Sequence, residues 1–384
     1  MFNSRLVIII STLTVTMFFQ SCSKEKGCTD PKSTNFNPDA EEDDGSCQYA
    51  TATGYTVPVT YNFSNVNYSG QTVRIGMLDE LTTYMKTANT AGVVLDLQKL
   101  KNMYENAGNP FSDSGLNTSG KQLKNKTFLA DQGIIESYFD SIVANSQSTT
   151  AASNGVAGVV TSNDNSKKYL VSANGIEYNQ LITKRLMGAV LFYQASSVYL
   201  NNLASDDNTT VNTGNGTDME HHWDEAFGYF GVPVDFPTNT TGVRYWGSYT
   251  NQRNAVLNTN ATLMNAFLKG RSAISNQDYT NRDEAVATIR AEWEKISAAT
   301  AIHYLNEAKT NLSDDAIRSH VLSECLGFVY SLKYNVAKKI TDAQITEVLG
   351  YIGDNLYNVS SSNLDKAKDL LSSVYGLDSV KNSL

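Results

Sequence analysis

The chain has few cysteines, histidines and prolines, and it lacks the motifs of the common enzyme classes. Four cysteines, four histidines and six prolines occur in 384 residues. Gly-x-Ser-x-Gly elbows, phosphate-binding glycine loops and His-Glu-x-x-His helices are absent, so an enzyme is the less favoured class. No block of basic residues occurs and the net charge is -9, which argues against nucleic acid as a partner. Beyond the N-terminus no run approaches the length of a membrane-spanning helix.

The first 22 residues have the pattern of an export signal. Arg5 precedes a short apolar run, which ends at Ser21-Cys22. The stretch FFQSC resembles a loose bacterial lipobox, in which the signal is cut before a cysteine that then carries lipid. This resemblance implies that residues 1–21 are a lipoprotein signal peptide and that lipid on Cys22 anchors the chain to a membrane. We expect the envelope of a Gram-negative bacterium, with the outer membrane favoured; an ordinary secretory signal is the alternative.

Two further cysteines flank an acidic segment after a polar tether, and residues 22–50 are assigned to this region. Disulfides persist outside the cytoplasm, so Cys28 and Cys47 are expected to pair, which would stabilise the segment by about 3 kcal/mol. GCTDPKSTNFNPDAEEDDGSCQY closely resembles a short module of exported bacterial proteins, GCTDPxAxNYNPxAxxDDGSCxY. Its oxygen-bearing side chains are of the kind that calcium prefers: Asp30, Asn35, Asn37, Asp39, Asp43 and Asp44. A disulfide-closed spacer rich in Asx turns, without an ion, is the alternative.

The remainder of the chain is dominated by the apolar periodicity of helices. Residues 51–71 alternate apolar and polar side chains and are predicted to be extended. Polar loops are predicted near 147–176 and 205–216. Apolar spacings of three and four predict helices over 73–88, 94–107, 129–146, 178–204, 217–230, 255–275, 282–312, 316–336, 341–352 and 363–376. This pattern predicts an all-α fold for residues 51–384, with two packed bundle halves divided near residue 210.

One predicted helix, in the stretch GTDMEHHWDEAFGYFGVP, carries two of the four histidines. Thr217 and Glu220 form a capping-box pattern where this helix begins. At about 100° per residue, His222 and Glu225 lie on the flank of the apolar face, within reach of each other. His221 points away from that face and is predicted to be solvated.

The other two histidines stand in a similar relation to a glutamate one turn later, on helix faces that are expected to be buried. Helix bundles build metal centres from Glu and His side chains on facing helices. The candidate transition-metal ligands are therefore His222, Glu225, His303, Glu307, His320 and Glu324. The alternative is internal pairing, either of each His with its Glu or of the carboxylates with Arg185, Arg244 and Arg271. Cys325 is predicted to be a small core residue.

Several stretches resemble an uncharacterised family of bacterial lipoproteins that is similar to the imelysins. They are HHWDEAFGYFGVP, RYWGSY, FLKGRSAI, AIHYLNEA and SHVLSECLGFVYSLKY, and the resemblance covers residues 52–384. It implies a double helical bundle. Imelysin-like proteins share a GxHxxE motif proposed to bind metal; here residues 222–225 fit its HxxE part, with Glu220 in the place of the glycine.

The imelysin resemblance implies an iron-linked accessory function in the envelope, such as iron uptake. Two alternatives remain open at this point. One is a structural lipoprotein that binds no metal and docks on another envelope protein. The other is a metallopeptidase of the imelysin type.

Overall fold

A computed structural model describes residues 24–30, 33, 37–47 and 54–384. Contacts divide the chain into two compact units, Met1–Ala50 and Thr51–Leu384. The predicted signal peptide, Cys22 and Asn35 lie outside the described residues. Both predicted bundle halves fall in the second unit, and their division near residue 210 stays a prediction.

A strand pair and a disulfide organise the described part of the first unit. Strand β1 (Lys26–Gly27) pairs in parallel with β2 (Glu42–Asp43). Cys28 is bonded to Cys47, which confirms the predicted pairing. Because the disulfide joins residues 19 apart, it closes the acidic segment into a loop.

The second unit is helical, which confirms the predicted all-α class. Its α-helices are α1 (Ser69–Lys86), α2 (Leu97–Glu105), α3 (Ser114–Thr118), α4 (Leu129–Ser146), α5 (Tyr178–Leu186), α6 (Leu200–Asn202), α7 (Asp218–Phe230), α8 (Trp246–Leu257), α9 (Thr259–Ser275), α10 (Tyr279–Thr310), α11 (Asp315–Ser331), α12 (Asp342–Ile352) and α13 (Ser361–Tyr375). Short 3-10 turns lie at Thr87–Asn89, Lys124–Lys126, Leu203–Ser205, Leu332–Tyr334 and Leu356–Asn358. Strands β3 (Gly158–Thr161) and β4 (Lys168–Val171) form an antiparallel hairpin.

Helix α7 begins where the capping-box pattern predicts it. The side chain of Thr217 accepts from the backbone N–H of Glu220, and the Glu220 side chain accepts from the backbone N–H of Thr217. The helix ends at Gly231, which has a left-handed backbone with φ 75°. These two caps fix the bounds of the helix that carries His221 and His222.

Two predicted helices differ from the observed ones. The segment 255–275 is divided between α8 and α9, because Asn258 adopts a left-handed conformation with φ 52° and ends α8. The segment 178–204 starts as α5 but continues as π-helix over Met187–Phe192 and Gln194–Tyr199. Apolar periodicity does not distinguish an α-turn from the slightly wider π-turn, so this change could not be predicted from the sequence.

Two other differences concern segments predicted to lack helices. The loop predicted over 147–176 contains the β3–β4 hairpin. Residues 54–68 form turns and irregular structure rather than an extended strand, and α1 begins at Ser69. The alternation in that segment reflects side chains that pack on helices: Tyr61, for example, is fully buried and stacks on Phe227.

The long helix α10 lies at the centre of the unit and packs against α8, α9, α11 and α13. Trp223, Trp246 and Trp293 are fully buried in the core, and the rings of Trp246 and Trp293 lie 6.0 Å apart. The indole N–H of Trp246 donates to the carbonyl of Met187 at 2.9 Å, so the polar edge of the ring is satisfied. Burying an aromatic side chain of this size contributes about 1.5–3 kcal/mol.

Helices α5 and α11 make an unusually close contact at Gly327. A Cβ atom on Gly327 would lie 2.3 Å from Cβ of Lys184 and 3.2 Å from the backbone N of Arg185. Only glycine allows this approach, and the approach carries Lys184 to the surface of α11. Among the described residues, no helix has both the length and the apolar content needed to cross a membrane.

Candidate functional site

The six predicted ligands lie in two separate parts of the fold. Helix α7, with His222 and Glu225, packs on α1, α9 and the π-helical stretch. The other four lie on α10 and α11, which pack against each other. We use the name α7 site for Gln71, Asp206, His222 and Glu225, and the name α10–α11 site for Glu177, Lys184, His303, Glu307, His320 and Glu324.

In the α7 site, His222 and Glu225 have different partners. Nδ1 of His222 lies 2.7 Å from Oδ2 of Asp206, which belongs to the loop before the helix. Oε1 of Glu225 accepts a hydrogen bond of 2.7 Å from Nε2 of Gln71 on α1. His222 and Glu225 were predicted to act together, but each instead contacts a residue that is distant in the sequence. His221, predicted to be solvated, is half-buried.

In the α10–α11 site, His320 is held by a buried carboxylate. Nδ1 of His320 lies 2.6 Å from Oε2 of Glu177, whose side chain is fully buried at the start of α5. The imidazole ring also stacks on Tyr169 of β4, with ring centres 4.3 Å apart. Burial alone would lower the pKa of His320, but the hydrogen bond and the charge of Glu177 raise it above its ordinary value.

Glu324 is paired with a lysine rather than with His320. Nζ of Lys184 lies 3.0 Å from Oε1 of Glu324, and the two side chains are 11% and 8% exposed. Tyr304 also hydrogen-bonds Glu324. Burial raises the pKa of Glu324, but Lys184 and His320 outweigh that effect, and the pKa lies below its usual value. Glu324 is therefore an ionised carboxylate in a nearly dry position.

His303 and Glu307 complete this site at its more exposed edge. Nε2 of His303 lies 3.7 Å from Oε2 of Glu307, one turn along α10. Burial and the charge of Arg253 lower the pKa of His303, so its imidazole is neutral near pH 7. Burial and the nearby Glu324 raise the pKa of Glu307. The four predicted residues of α10 and α11 thus share one electrostatic environment.

The donor set of the α10–α11 site meets some requirements of a metal site but not all. A carboxylate on one ring nitrogen commonly orients a metal-binding histidine, and Glu177 occupies Nδ1 of His320, which leaves Nε2 for a ligand role. Against this, Lys184 already neutralises Glu324. Within the part of the chain that the structure describes, no three His, Cys, Asp or Glu residues form a group that could hold a metal ion. A metal ion would have to displace Lys184 in order to bind Glu324.

Buried arginines neutralise carboxylates elsewhere in the bundle. Nε of Arg185 lies 3.0 Å from Oδ2 of Asp131, and Nε of Arg271 lies 2.9 Å from Oδ1 of Asp224. Arg244 pairs with Asp79 at the surface. Arg185 and Arg271 thus pair with buried carboxylates, but these are Asp131 and Asp224 rather than any of the six candidate ligands.

Cys325 is a core residue, as predicted. Its side chain is fully buried, and its Sγ lies 3.5 Å from the carbonyl oxygen of Ala301. Burial raises the pKa of the Cys325 thiol, with a further contribution from Glu324. A thiol in this state is a poor metal ligand, because the thiolate is the ligand form.

Three of the candidate calcium residues of the first unit accept hydrogen bonds from nearby backbone N–H groups. Oδ1 of Asp43 accepts from the backbone N–H of Gly45 at 3.0 Å, and Oδ1 of Asp44 accepts from that of Ser46 at 2.9 Å. Oδ1 of Asn37 accepts in the same way from Asp39 at 3.0 Å. These are Asx turns, the local structure expected of the spacer alternative. Calcium binding by this module stays a prediction.

Comparison with known proteins gives one family. The model of a family described as a domain of unknown function, DUF4856, matches residues 58–377, which include both the α7 site and the α10–α11 site. No curated protein and no solved structure matches the chain.

Proposed function

We propose that this chain, which belongs to the DUF4856 family, is a lipid-anchored protein of the bacterial envelope that binds a transition-metal cation at the α10–α11 site. The observation that carries the proposal is the hold of Glu177 on Nδ1 of His320, beside the ionised Glu324. The neutral His303 and the half-buried Glu307 supply further donors. The resemblance to imelysin-like proteins adds iron as the expected metal.

The donor chemistry favours some metals over others. Imidazole nitrogen and carboxylate oxygen suit iron, manganese and zinc, whereas copper(I) prefers thiolates and thioethers. The one free cysteine among the described residues, Cys325, is a buried thiol. A bound cation would supply a positive charge to Glu324, which is the charge that Lys184 supplies in this structure.

The first experiment measures metal affinity in matched variants. Iron(II), manganese(II) and zinc(II) are titrated anaerobically into the mature chain, into His320→Gln/Glu324→Gln and into His222→Gln/Glu225→Gln. The proposal expects binding that the α10–α11 variant loses and the α7 variant keeps. Loss of binding only in the α7 variant would move the site to α7, and absence of binding in every protein would exclude a resident metal.

Lys184 provides a second and sharper test. Lys184→Met removes the competing cation and leaves Glu324 buried without its partner, which lowers stability in the absence of metal. Metal binding would restore a counter-charge, so the same metal concentration should raise Tm more in Lys184→Met than in the wild type. An equal rise in both proteins would contradict binding at Glu324.

A docking lipoprotein without metal is the second candidate function. It is favoured by the contact of Lys184, which already neutralises the Glu324 carboxylate that a metal would need. This candidate predicts a fold that is indifferent to chelators and a protein partner recovered by cross-linking in the envelope. Peptidase activity of the imelysin type is a further alternative, and it predicts chelator-sensitive cleavage of unfolded substrates.

The membrane anchor is tested separately. Replacement of Cys22 by serine removes the acyl acceptor, and the proposal expects the protein to move from the membrane fraction to the soluble fraction. Metabolic labelling with an alkyne fatty acid should mark the wild type and not Cys22→Ser. Labelling that survives the substitution would show that the anchor lies elsewhere.

A further inference from the structure

Three cationic side chains converge beside the first turn of α1, close to the α7 site. Gly70 marks the place: a Cβ atom on it would lie 3.5 Å from Nη1 of Arg74 and 3.6 Å from Nζ of Lys121. Lys126 reaches the same place through Tyr199, whose hydroxyl lies 3.2 Å from Nζ of Lys126 and 3.4 Å from Nε2 of Gln71, the residue after Gly70. Lys121 is exposed, Lys126 is half-buried and Arg74 is buried. The cluster therefore has a fixed, buried cation and two cations that solvent can reach.

The hydrogen bonds of two of these cations go to neutral groups. Nε of Arg74 donates to the carbonyl of Gln122 at 2.8 Å, and its Nη1 donates to the carbonyl of Gly70 at 3.3 Å. Nζ of Lys126 donates to the hydroxyl of Tyr199 at 3.2 Å. These contacts position the cations without removing their charge.

Lys124, in the same 3-10 turn as Lys126, differs from it in having carboxylate partners. Its Nζ lies 2.6 Å from a carboxylate oxygen of Glu105 and 2.6 Å from one of Glu136. Two carboxylates thus neutralise Lys124, whereas Lys126, two residues later, lies among other cations. The sequence of this turn does not distinguish the two lysines, but the structure does.

Among the described residues, the carboxylate that acts on Lys126 is that of Glu225, which already accepts a hydrogen bond. Its Oε1 accepts from Gln71 at 2.7 Å. Burial and the charge of Arg74 lower the pKa of Lys126; Glu225 opposes them in part, and Lys121 adds a smaller lowering effect. The cations therefore outnumber the carboxylate, in a protein whose net charge is -9.

We propose that Arg74, Lys121 and Lys126 form a binding site for an oxyanion, the phosphate or carboxylate group of a ligand. Arginine and lysine in combination are the usual protein partners of such groups, because their N–H donors make charge-assisted hydrogen bonds to oxygen. Arg74 and Lys121 approach the same point beside Gly70, so one oxyanion could accept hydrogen bonds from both. The site is independent of the proposed metal site, since it lies between α1 and the segment 121–126 rather than between α10 and α11.

The test compares two lysines of one turn. Inorganic phosphate and citrate are titrated calorimetrically into the mature chain at low ionic strength, with sodium chloride as the control for screening. We expect binding that Lys126→Gln and Lys121→Gln each weaken by about tenfold or more, and that Lys124→Gln leaves unchanged. Lys121 is exposed, so its substitution keeps the test valid if Lys126→Gln folds poorly.

A second arm distinguishes a free ligand from a lipid headgroup. Vesicles of phosphatidylglycerol in phosphatidylcholine are mixed with Cys22→Ser protein, which lacks the proposed anchor, and sedimentation measures binding. Sedimentation that depends on Lys126 would assign the oxyanion to a lipid, whereas binding of phosphate or citrate alone would assign it to a small ligand. No binding in either arm, or an equal loss in Lys124→Gln, would overturn the proposal.

Discussion

Arg271 connects three stretches of the chain through one guanidinium group. Its Nε lies 2.9 Å from Asp224, its Nη1 lies 2.5 Å from Glu220, and its Nη2 donates to the carbonyl of Ser64 at 3.3 Å. The arginine side chain is 1% exposed and that of Asp224 is fully buried. Desolvation of these charges is costly, and the ion pairs offset that cost only while both partners are present.

Removal of Arg271 should therefore be far more costly than removal of an exposed lysine on the same helix. We expect Arg271→Met to lower the free energy of unfolding by about 3–5 kcal/mol, because it leaves the buried Asp224 carboxyl without its cationic partner. The control is Lys269→Met, whose exposed pair with Glu284 contributes at most about 1 kcal/mol. Urea titrations of the three proteins measure both values, and similar losses in the two variants would contradict the argument.

The buried pair of His320 and Glu177 predicts a pH dependence of stability. The pKa of His320 is raised in the folded state, so the folded protein binds a proton more tightly than the unfolded one. The stabilisation is fully present below the unfolded pKa of about 6.5 and is lost as the pH rises through the folded value. The contribution of His303 to stability changes with pH in the opposite direction, because its pKa is lowered on folding.

The contribution of His320 is measured as the difference in stability between the wild type and His320→Gln. Urea midpoints of the wild type and of His320→Gln are measured between pH 5.5 and 8.5, a range of about one unit below to two above the unfolded pKa of histidine. We expect the stability advantage of the wild type to shrink as the pH rises. A constant difference across the range would mean that His320 does not bind its proton more tightly in the folded state.

The partners of the candidate site residues could not be predicted from the sequence. Helical periodicity correctly places His303 one turn from Glu307, because that relation is local. His320 instead meets Glu177, 143 positions earlier, and Glu225 meets Gln71, 154 positions earlier. Such pairs depend on which helices become neighbours, and the apolar pattern of a single helix does not contain that information.

At the scale of elements, the sequence predicts most of the helices, but it misses α3, the first nine residues of α8 and what interrupts the longer helices. Helix α4 has the predicted bounds, and α7 has its predicted cap. The break at Asn258 and the π-helical turns leave the apolar spacing intact, so periodicity runs across them. The β3–β4 hairpin has four residues per strand, which is too short for its alternation to be distinct from a polar loop.

The close packing of α5 on α11 predicts the effect of a single methyl group. Gly327→Ala would place a Cβ atom against Lys184 and against backbone, so the helices must separate. We expect overpacking to lower the free energy of unfolding by about 1–3 kcal/mol. The displacement also moves Lys184 relative to Glu324, so any metal affinity of the α10–α11 site should change as well.

Gly350 in α12 provides the matched control for Gly327. No atom lies within 4 Å of its added Cβ, so Gly350→Ala adds no overlap. Alanine is the better helix former, and we expect this substitution to stabilise the protein by about 0.5–1 kcal/mol. If packing decides the effect at Gly327, thermal unfolding should show a lower Tm for Gly327→Ala and a higher Tm for Gly350→Ala than for the wild type. A stabilising Gly327→Ala would show that the two helices tolerate separation.

At the scale of the whole molecule, the disulfide and the helices belong to different compact units. Replacement of Cys28 and Cys47 by serine opens a loop and should destabilise the first unit by about 3 kcal/mol. The core of the helical unit contains neither cysteine, so we expect its calorimetric transition to stay at the same temperature. Limited proteolysis should then cut the variant faster within residues 24–47. A lowered transition would show that the two units stabilise each other.

The buried tryptophans determine how this protein behaves in optical experiments. All three indoles lie in the apolar core of the helical unit, and residues 1–50 contain no tryptophan. The native emission spectrum should therefore lie at short wavelength and shift to the red only when that core opens to water. Changes in the disulfide-closed unit would leave the spectrum unaltered. Fluorescence can thus follow the unfolding of the helices in the full-length chain without a label, whatever happens at its N-terminus.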